Sequence, residues 1–378
     1  MNAKQRVNAA LEFRSPDRVP YGEYAIDSAV AGKILGHETY LRNKAKTQVA
    51  LWEGRRDEVA QSLKEDTVAL YKKLDVVDIV NLMAEAAGLL PPRDYQPLRP
   101  EKIADGVWKD LEGRVYKYTA AAEDITLVED PSLWTWEYAA EDFLPEKVYQ
   151  KPDPSQFEVI DYVAERLGGE KYLIGPAGRE VGLTLLGNME RGFVEMGENP
   201  EMVEEIARHL TEVGRREDED FIRPGVDAVM WGQDFSYNRG PMVSPAMFEQ
   251  MAVPFCRERT GHVHARGKRV FKHACGNNWP LLDSFLAIGY DAYQSIQHSA
   301  GMTLSALRKA LGDRLCLWGG ITLDSLMDGR LEDAERDVRD AVALGREGGV
   351  ILGATHSIMT GVDYDSYMRL LDHIASQA

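Results

Sequence analysis

Two side chains that could bind a metal ion lie two residues apart in the segment FKHACGNNW, residues 271–279. His273 and Cys275 come at the end of KRVFKHACG, which has the pattern of a β-strand. Because side chains alternate between the two faces of a strand, the imidazole and the thiol point the same way. Nitrogen and thiolate sulfur are ligands that zinc prefers, so the pair predicts two ligands of a zinc site.

A catalytic zinc site needs about three protein ligands, with one position left open. His356 closes GGVILGATH, the last strand-like segment of the chain, and is the candidate for the third ligand. The alternative is an ordinary role in the hydrophobic core. Buried cysteines are common there, and a single histidine is often a buried residue that hydrogen-bonds its neighbours without binding a metal. The prediction therefore depends on whether the three side chains converge.

Three further polar residues are expected near the carboxyl ends of strands, where active sites of parallel α/β proteins collect. Asp234 follows DAVMWGQ and could orient a ligand imidazole or deliver a proton to a leaving group. Glu180 follows KYLIGPAGR and could serve as an acid or as a weak fourth ligand. Gln294, in AYQSIQ, could hydrogen-bond the substrate or a metal ligand.

Aromatic side chains near the same strand ends are candidates for substrate binding. Trp231 and Tyr237 flank Asp234, and Trp318 lies in RLCLWGGI. All three could line an apolar pocket, and burial in the hydrophobic core is the alternative for each of them.

Composition limits the partners of the protein. The chain has 378 residues, 44% of them hydrophobic, and a formal net charge of −17 at pH 7. This charge argues against nucleic acid and anionic membranes, since phosphate contacts need clustered Lys and Arg. No apolar stretch approaches the roughly 20 residues that span a bilayer, and the N-terminal segment lacks a signal-peptide pattern. Three cysteines do not suggest a disulfide framework, so we expect a soluble cytoplasmic protein.

Strand-like segments alternate with amphipathic helical segments, which is typical of a parallel sheet in an α/β protein. No G-x-G-x-x-G follows an early strand, which removes the main argument for an open dinucleotide-binding sheet. We therefore predict a single (β/α)8 (TIM) barrel. The predicted strands are residues 18–24, 171–178, 227–235, 268–276, 291–297, 314–321 and 348–356.

One segment in the first half departs from this alternation. Residues 97–124 alternate aromatic and polar side chains around Gly106 and Gly113, which predicts an inserted β-hairpin region. No linker is evident elsewhere, so residues 1–378 are expected to form one domain.

Several segments resemble the uroporphyrinogen decarboxylase-like superfamily, in its branch of cobamide-dependent methyltransferases. Their order and spacing over most of the chain carry the resemblance, which implies a (β/α)8 barrel. The segments are RVNAALEFRSPDRVPYGEY, WGQDFSYNRGPMVSPAMFEQMAVPF, VFKHACGNNWPLLDSFLAIGYDAY, GDRLCLWGGITL and GGVILGATHSIMTGVDYDSYMRLLDHI.

The resemblance also implies a metal site. Decarboxylases of the superfamily carry an arginine-rich stretch soon after PDRVP, whereas this chain has YGEYAIDSAVAGK there. The methyltransferase branch binds zinc through an H-x-C pair, matched by His273 and Cys275, and a third ligand from the last strand. That ligand is usually cysteine in methylcobamide:coenzyme M enzymes, and the aligned residue here is His356. This departure keeps three ligands but argues against a thiol acceptor.

A site with one thiolate leaves zinc a formal charge of +1, whereas two thiolates neutralise it, and the more cationic ion suits oxygen. The resulting hypothesis is transfer of a methyl group from a small methylated substrate to the cobalt of a corrinoid (cobalamin) on a partner protein. A methyl ether, possibly aromatic, is the favoured donor, so that the reaction is O-demethylation.

Two alternatives stay open at this stage. A metal-free decarboxylase-like lyase would need convergent arginines at the barrel mouth, for which Arg179 and Arg239 are the candidates. A non-catalytic metal or corrinoid binder would bind without turnover. The sequence permits a homodimer without requiring one.

Overall fold

The computed structural model describes residues 1–85, 89–120, 123–134 and 137–377. The strands are β1 (Ile79–Asn81), β2 (Glu101–Ala104), β3 (Val107–Lys109), β4 (Val115–Thr119), β5 (Asp124–Glu129), β6 (Tyr172–Gly175), β7 (Ala228–Trp231), β8 (Ser236–Tyr237), β9 (Gly240–Pro241), β10 (Arg269–His273), β11 (Ala292–Gln294), β12 (Cys316–Ile321) and β13 (Val350–Ala354).

The α-helices are α1 (Ala3–Leu11), α2 (Ser28–Leu35), α3 (Lys44–Trp52), α4 (Arg56–Lys73), α5 (Leu82–Glu85), α6 (Pro145–Val148), α7 (Glu158–Leu167), α8 (Met189–Glu198), α9 (Pro200–Phe221), α10 (Pro245–Met251), α11 (Val253–His264), α12 (Leu282–Ile288), α13 (Leu304–Leu311), α14 (Leu323–Met327), α15 (Leu331–Gly345) and α16 (Tyr364–Ser376). Short 3-10 helices lie at Pro131–Trp134, Ala140–Phe143, Pro154–Phe157, Trp279–Leu281, His298–Ala300 and Gly312–Arg314.

Seven strands form one parallel sheet in the order β1-β6-β7-β10-β11-β12-β13, each paired with the next barrel strand along the chain. The segment around Tyr21 closes the ring. Tyr21 bridges Leu352 of β13, and Gly22 bridges Ile79 of β1, both in parallel. A side chain at Gly22 would clash, because an added Cβ would lie 2.7 Å from the Cβ of Ile79. The sheet therefore closes into a barrel, and the predicted (β/α)8 architecture is confirmed.

Side chains of alternating strand residues fill two separate layers. The interior of the barrel holds a compact apolar cluster that includes Phe271, Cys316 and Trp318. The opposite faces of the strands pack against the surrounding helices. Helix α15 shows the pattern, since its buried residues Ala334, Val338 and Ala341 recur at three- and four-residue intervals.

The predicted insertion is a four-stranded antiparallel sheet in the order β2-β3-β4-β5, between β1 and β6 in the chain. One sheet face packs against α3, where Trp52 contacts the rings of Trp108 and Tyr116. None of the helices in the described ranges is long and apolar enough to cross a membrane.

Ser244 caps α10 by accepting the amide hydrogen of Met247 at 3.1 Å, with Pro245 at the first helical position. Strand β1 was missed, because a three-residue strand, Ile79–Asn81, is too short to show periodicity.

Candidate metal centre

The imidazole of His273 and the thiol of Cys275 meet at the carboxyl end of β10. His273 is the last residue of the strand and points into the barrel, on the same face as Phe271. Cys275 lies two residues further on, and its Sγ atom is 3.5 Å from Nε2 of His273. The strand therefore positions both groups as its alternation predicts.

His356 joins the pair from the far end of the chain. It follows β13, and its ring centroid is 5.7 Å from that of His273. One ligand atom from each of His273, Cys275 and His356 can be chosen so that all three lie within 4.8 Å of one another. The convergence occurs because β10 and β13 end at the same rim of a closed barrel.

Gln294 determines which nitrogen of His273 faces the cluster. The side-chain oxygen of Gln294, at the end of β11, is in hydrogen-bonding contact with Nδ1 of His273. An amide oxygen only accepts, so Nδ1 carries the hydrogen and Nε2 keeps its lone pair for a ligand. Metal-bound histidines usually have such a partner on the second nitrogen.

The turn after β10 requires both a glycine and an asparagine. Gly276 has φ +84°, and an added Cβ would lie 2.4 Å from the backbone oxygen of Ser236. The buried amide of Asn278 donates to the carbonyl oxygen of Cys275 at 3.0 Å and accepts from the Ser236 hydroxyl at 2.9 Å. These contacts hold the residues GNN of the opening segment against the loop that follows β7.

Asp234 supports the backbone of the cluster rather than an imidazole. Its Oδ1 accepts the amide hydrogen of Cys275 at 2.7 Å. Within the described ranges, no hydrogen bond joins Asp234 to His273 or His356. The carboxylate is thus close to the cluster, but its observed contact differs from the orienting contact to an imidazole that the sequence suggested.

Tyr24 forms one wall of the site and was not among the residues picked from the sequence. Its ring centroid lies 4.4 Å from that of His273 and 5.8 Å from that of His356. Tyr24 follows the segment that closes the barrel, so its place at the cluster depends on closure. An aromatic residue at the end of the predicted first strand, residues 18–24, was the available signal.

Burial keeps the two imidazoles neutral. It lowers the pKa of His273 to about 4, and it also lowers the pKa of His356. Burial raises the pKa of the Cys275 thiol to about 11, against an opposing effect of the hydrogen bond between this thiol and Ser295. A divalent cation bound by the three side chains would instead lower the pKa of the Cys275 thiol, because a coordinating thiol loses its proton.

The donor set fits zinc. Tetrahedral ligands at zinc bond lengths lie roughly 3.3–3.8 Å apart, which the 3.5 Å between Cys275 Sγ and His273 Nε2 satisfies. Nδ1 of His356 is buried and has no hydrogen-bond partner among the described residues. Such an atom is costly unless something binds it. The chemistry of the three donors and this orphaned nitrogen both suit a small divalent ion.

Glu180 is not brought to the cluster. Its Oε1 accepts from Nζ of Lys272 at 2.5 Å, and its Oε2 accepts from the amide of Gln233 at 3.0 Å. Lys272 is fully buried on the face of β10 opposite His273, with its ammonium group over the ring of Phe235. The carboxylate therefore neutralises a buried lysine between the strand and the helices.

Among the described residues, no ring contact or hydrogen bond joins the side chains of the three aromatic candidates to those of the three candidate ligands. Trp231 packs on the helix side of β7 and donates to the carbonyl oxygen of Gly178 at 3.0 Å. Trp318 is buried inside the barrel and donates to the carbonyl oxygen of Gly22 at 2.8 Å. Tyr237 is 53% exposed, so its side chain belongs to the surface of the loop.

The arginines proposed for a lyase do not converge. Arg179 pairs with Glu217 of α9 at 2.6 Å, and Arg239 is exposed. A different arginine, Arg42, lies near the ligands, where it donates to Asp27 at 3.0 Å and to the hydroxyl of Ser357 at 3.2 Å. One paired arginine beside the cluster does not make the cationic pocket that a decarboxylase needs.

Comparison with solved structures shows which fold the chain shares. The solved structure of a methyltransferase from Methanosarcina mazei aligns over 100% of this chain and 98% of its own, with 16% identity and a TM-score of 0.66, which shows a shared fold. A B12-independent methionine synthase from Shewanella sp. W3-18-1 reaches only 11% identity and a TM-score of 0.43 over 85% of this chain and 88% of its own.

No protein with curated annotation matches the chain. The sequence model described as Uroporphyrinogen decarboxylase (URO-D) matches residues 138–377, which is more than half of the chain and includes β6 to β13 with all three candidate ligands. This chain therefore belongs to the uroporphyrinogen decarboxylase family.

Proposed function

We propose that this chain is a zinc-dependent methyltransferase that moves a methyl group from a small methyl ether to the cobalt of a corrinoid on a separate protein. The observation that carries the proposal is the convergence of His273, Cys275 and His356 at the carboxyl ends of two barrel strands. The shared fold with the Methanosarcina methyltransferase supports the class of reaction.

The charge of the donor set favours an oxygen substrate. His273 and His356 are held neutral by burial, so Cys275 is the one anionic ligand among the three. Zinc held by these residues would keep a formal charge of +1 and would supply Lewis acidity to the oxygen that carries the methyl group. The resulting site favours departure of an alkoxide or phenolate.

The residues of this chain position the ligands and restrict access to them. Gln294 keeps Nε2 of His273 directed at the cluster, and Asp234 holds the backbone of Cys275. The ring of Tyr24 covers one side of both imidazoles, so substrate approaches from another side. Asp234, whose carboxylate contacts the backbone of Cys275, is the candidate for returning a proton to the leaving oxygen.

The methyl acceptor is the second substrate of the proposed reaction. In an in-line displacement, the electron pair of reduced cobalt forms the new Co–C bond while the C–O bond pair stays on oxygen. A proton then converts the leaving oxygen to an alcohol or phenol. No segment of the sequence resembles a corrinoid-binding module, so a partner protein must present the cobalt at the barrel mouth.

Metal analysis tests the site first. The purified full-length protein should contain about one zinc ion per chain, and Cys275→Ser should lose it. Cys256→Ser is the matched control, since the Cys256 thiol contacts the carbonyl oxygen of Val181 at 3.2 Å and a hydroxyl can replace it there. Zinc retained by Cys275→Ser at the level of the control would contradict the site.

Methyl transfer tests the reaction. The zinc-loaded protein is incubated under reducing conditions with free cob(I)alamin and a panel of methyl ethers, methyl thiols and methylamines, and methylcobalamin is followed by absorbance. We expect methylation with one or more ethers, and loss of it in Cys275→Ser. Activity only with thiols or amines would contradict the choice of an ether. No activity with any donor, either with free cob(I)alamin or with a reduced corrinoid protein, would favour a non-catalytic binder.

A further inference from the structure

The hydroxyl of Ser295 is directed at the thiol of Cys275. Ser295 comes directly after β11 and is 1% exposed. Its Oγ atom is 3.1 Å from Sγ of Cys275, and no other hydrogen bond of this hydroxyl occurs within the described part of the chain. A buried hydroxyl needs a partner, and here the partner is the proposed anionic ligand.

The backbone at Ser295 has an unfavourable conformation. Its φ of +77° lies in the left-handed region, which costs a residue with a Cβ atom roughly 1–2 kcal/mol. Glycine would avoid this cost. Non-glycine residues in such conformations concentrate at functional sites, where the surrounding structure maintains them.

Two nearby residues, Gln294 and Gln297, contact the same turn as Ser295. Gln294 contacts the imidazole of His273, and the side-chain oxygen of Gln297 accepts the amide hydrogen of Gly276 at 2.8 Å. The segment 294–297 therefore contacts the ligand-bearing turn at three successive places. Of the three contacts, the one from Ser295 reaches the donor atom of a ligand.

We propose that Ser295 is a positioning residue that donates a hydrogen bond to the metal-bound thiolate of Cys275 and limits the charge that the sulfur gives to the metal. The direction follows from chemistry, because a bound thiolate has no proton and can only accept. Outer hydrogen bonds of this kind tune the ligands of metal sites. The inference rests on the proposed function. In it, the hydrogen bond from Ser295 maintains part of the Lewis acidity of the metal.

Cobalt spectroscopy tests the proposal independently of activity. The full-length protein is loaded with Co²⁺, and the sulfur-to-cobalt charge-transfer band is recorded for wild type, Ser295→Ala and Ser295→Gly. Loss of the hydrogen bond raises the energy of the sulfur lone pairs, so both variants should show the band at longer wavelength with about one cobalt per chain. Ser305→Ala, an exposed serine on α13, should leave the band in place.

The two substitutions at Ser295 distinguish the effect of losing the hydroxyl from the effect of relieving the unfavourable backbone conformation. Alanine keeps the unfavourable φ and glycine relieves it, but both lack the hydroxyl, so equal shifts support the proposal. A band at the wild-type position in both variants, or a shift in alanine alone, would overturn it. If wild type binds cobalt without a charge-transfer band, Cys275 is not a ligand and the proposed metal centre fails as well. The glycine variant keeps the test usable if alanine does not fold.

Discussion

Gln294 connects the strands that carry two of the candidate ligands. Its side-chain oxygen contacts Nδ1 of His273, and its side-chain nitrogen donates to the carbonyl oxygen of Ala354 at 3.4 Å. Ala354 ends β13, two residues before His356. One buried amide thus orients the imidazole at the end of β10 and contacts the backbone that leads to the third ligand.

Replacing Gln294 should weaken zinc binding without abolishing it. In Gln294→Ala, Nδ1 of His273 loses its acceptor and the ring can adopt the other tautomer, so we expect an affinity lower by about 10- to 100-fold. Gln294→Glu keeps an acceptor oxygen and should bind within a few-fold of wild type. Competition with a chromophoric chelator measures both variants, and wild-type affinity in Gln294→Ala would contradict this role.

Gly276 should be far less tolerant of substitution than a glycine of similar conformation elsewhere. Gly267 has φ +72° and an added Cβ there meets nothing within 4 Å, whereas at Gly276 it would lie 2.4 Å from the oxygen of Ser236. Gly267→Ala should therefore cost about 1 kcal/mol in the free energy of unfolding, from conformation alone. Gly276→Ala should cost a further ~1–3 kcal/mol, because the turn must move.

Urea denaturation of the metal-free proteins measures the two costs, and zinc analysis shows the consequence for the site. We expect Gly276→Ala to lose zinc, since the displaced turn carries Cys275, and Gly267→Ala to keep it. Equal costs and equal zinc contents in the two variants would show that the contact with Ser236 can relax without affecting the ligands.

The stability of the metal-free protein should depend on the protonation of His273. Its pKa is lowered by burial to about 4 in the folded protein and is about 6.5 in the unfolded chain. Between these values the unfolded state binds a proton that the folded state does not. The contribution of neutral His273 to the free energy of unfolding is therefore fully present above about pH 6.5. It is lost as the pH falls towards 4, by up to ~3 kcal/mol.

Urea denaturation in the presence of a chelator, at several pH values from 7.5 to 5, tests this dependence. His273→Asn removes the titrating group, so its free energy of unfolding should fall less steeply over the same interval. The other acidic and basic groups are shared by both proteins and cancel in the comparison. Parallel curves for the two proteins would contradict the assignment of the lowered pKa to His273.

Much of the candidate site could be predicted because its candidate ligands follow the periodicity of single strands. His273 and Cys275 share a face through the alternation of side chains, and His356 reaches them once β13 is recognised as a barrel strand. These inferences need only local pattern and the rule that parallel strands end at one rim. The barrel followed from the same alternation of strands and helices.

The remaining contacts depend on pairs of distant segments, which local pattern does not encode. Ser295 and Tyr24 reach the cluster only through strand order and barrel closure. Glu180 illustrates a missed signal: Lys272 alternates with His273, so it had to lie on the buried outer face of the strand and required a nearby carboxylate. That reasoning would have placed Glu180 beside Lys272 instead of at the candidate metal centre.

Exchanging His356 for cysteine tests whether charge selects the substrate. His356→Cys would give two thiolates and a formally neutral zinc, a weaker Lewis acid towards oxygen. We expect the variant to keep about one zinc per chain and to transfer methyl from ethers at least ~10-fold more slowly than the wild type. Zinc content is measured first, with His264→Ala as a control, since His264 pairs with Asp291 at 2.7 Å on the surface. A zinc-loaded variant with full ether activity would contradict the charge argument, because both sites would then activate oxygen equally despite different charges on the metal.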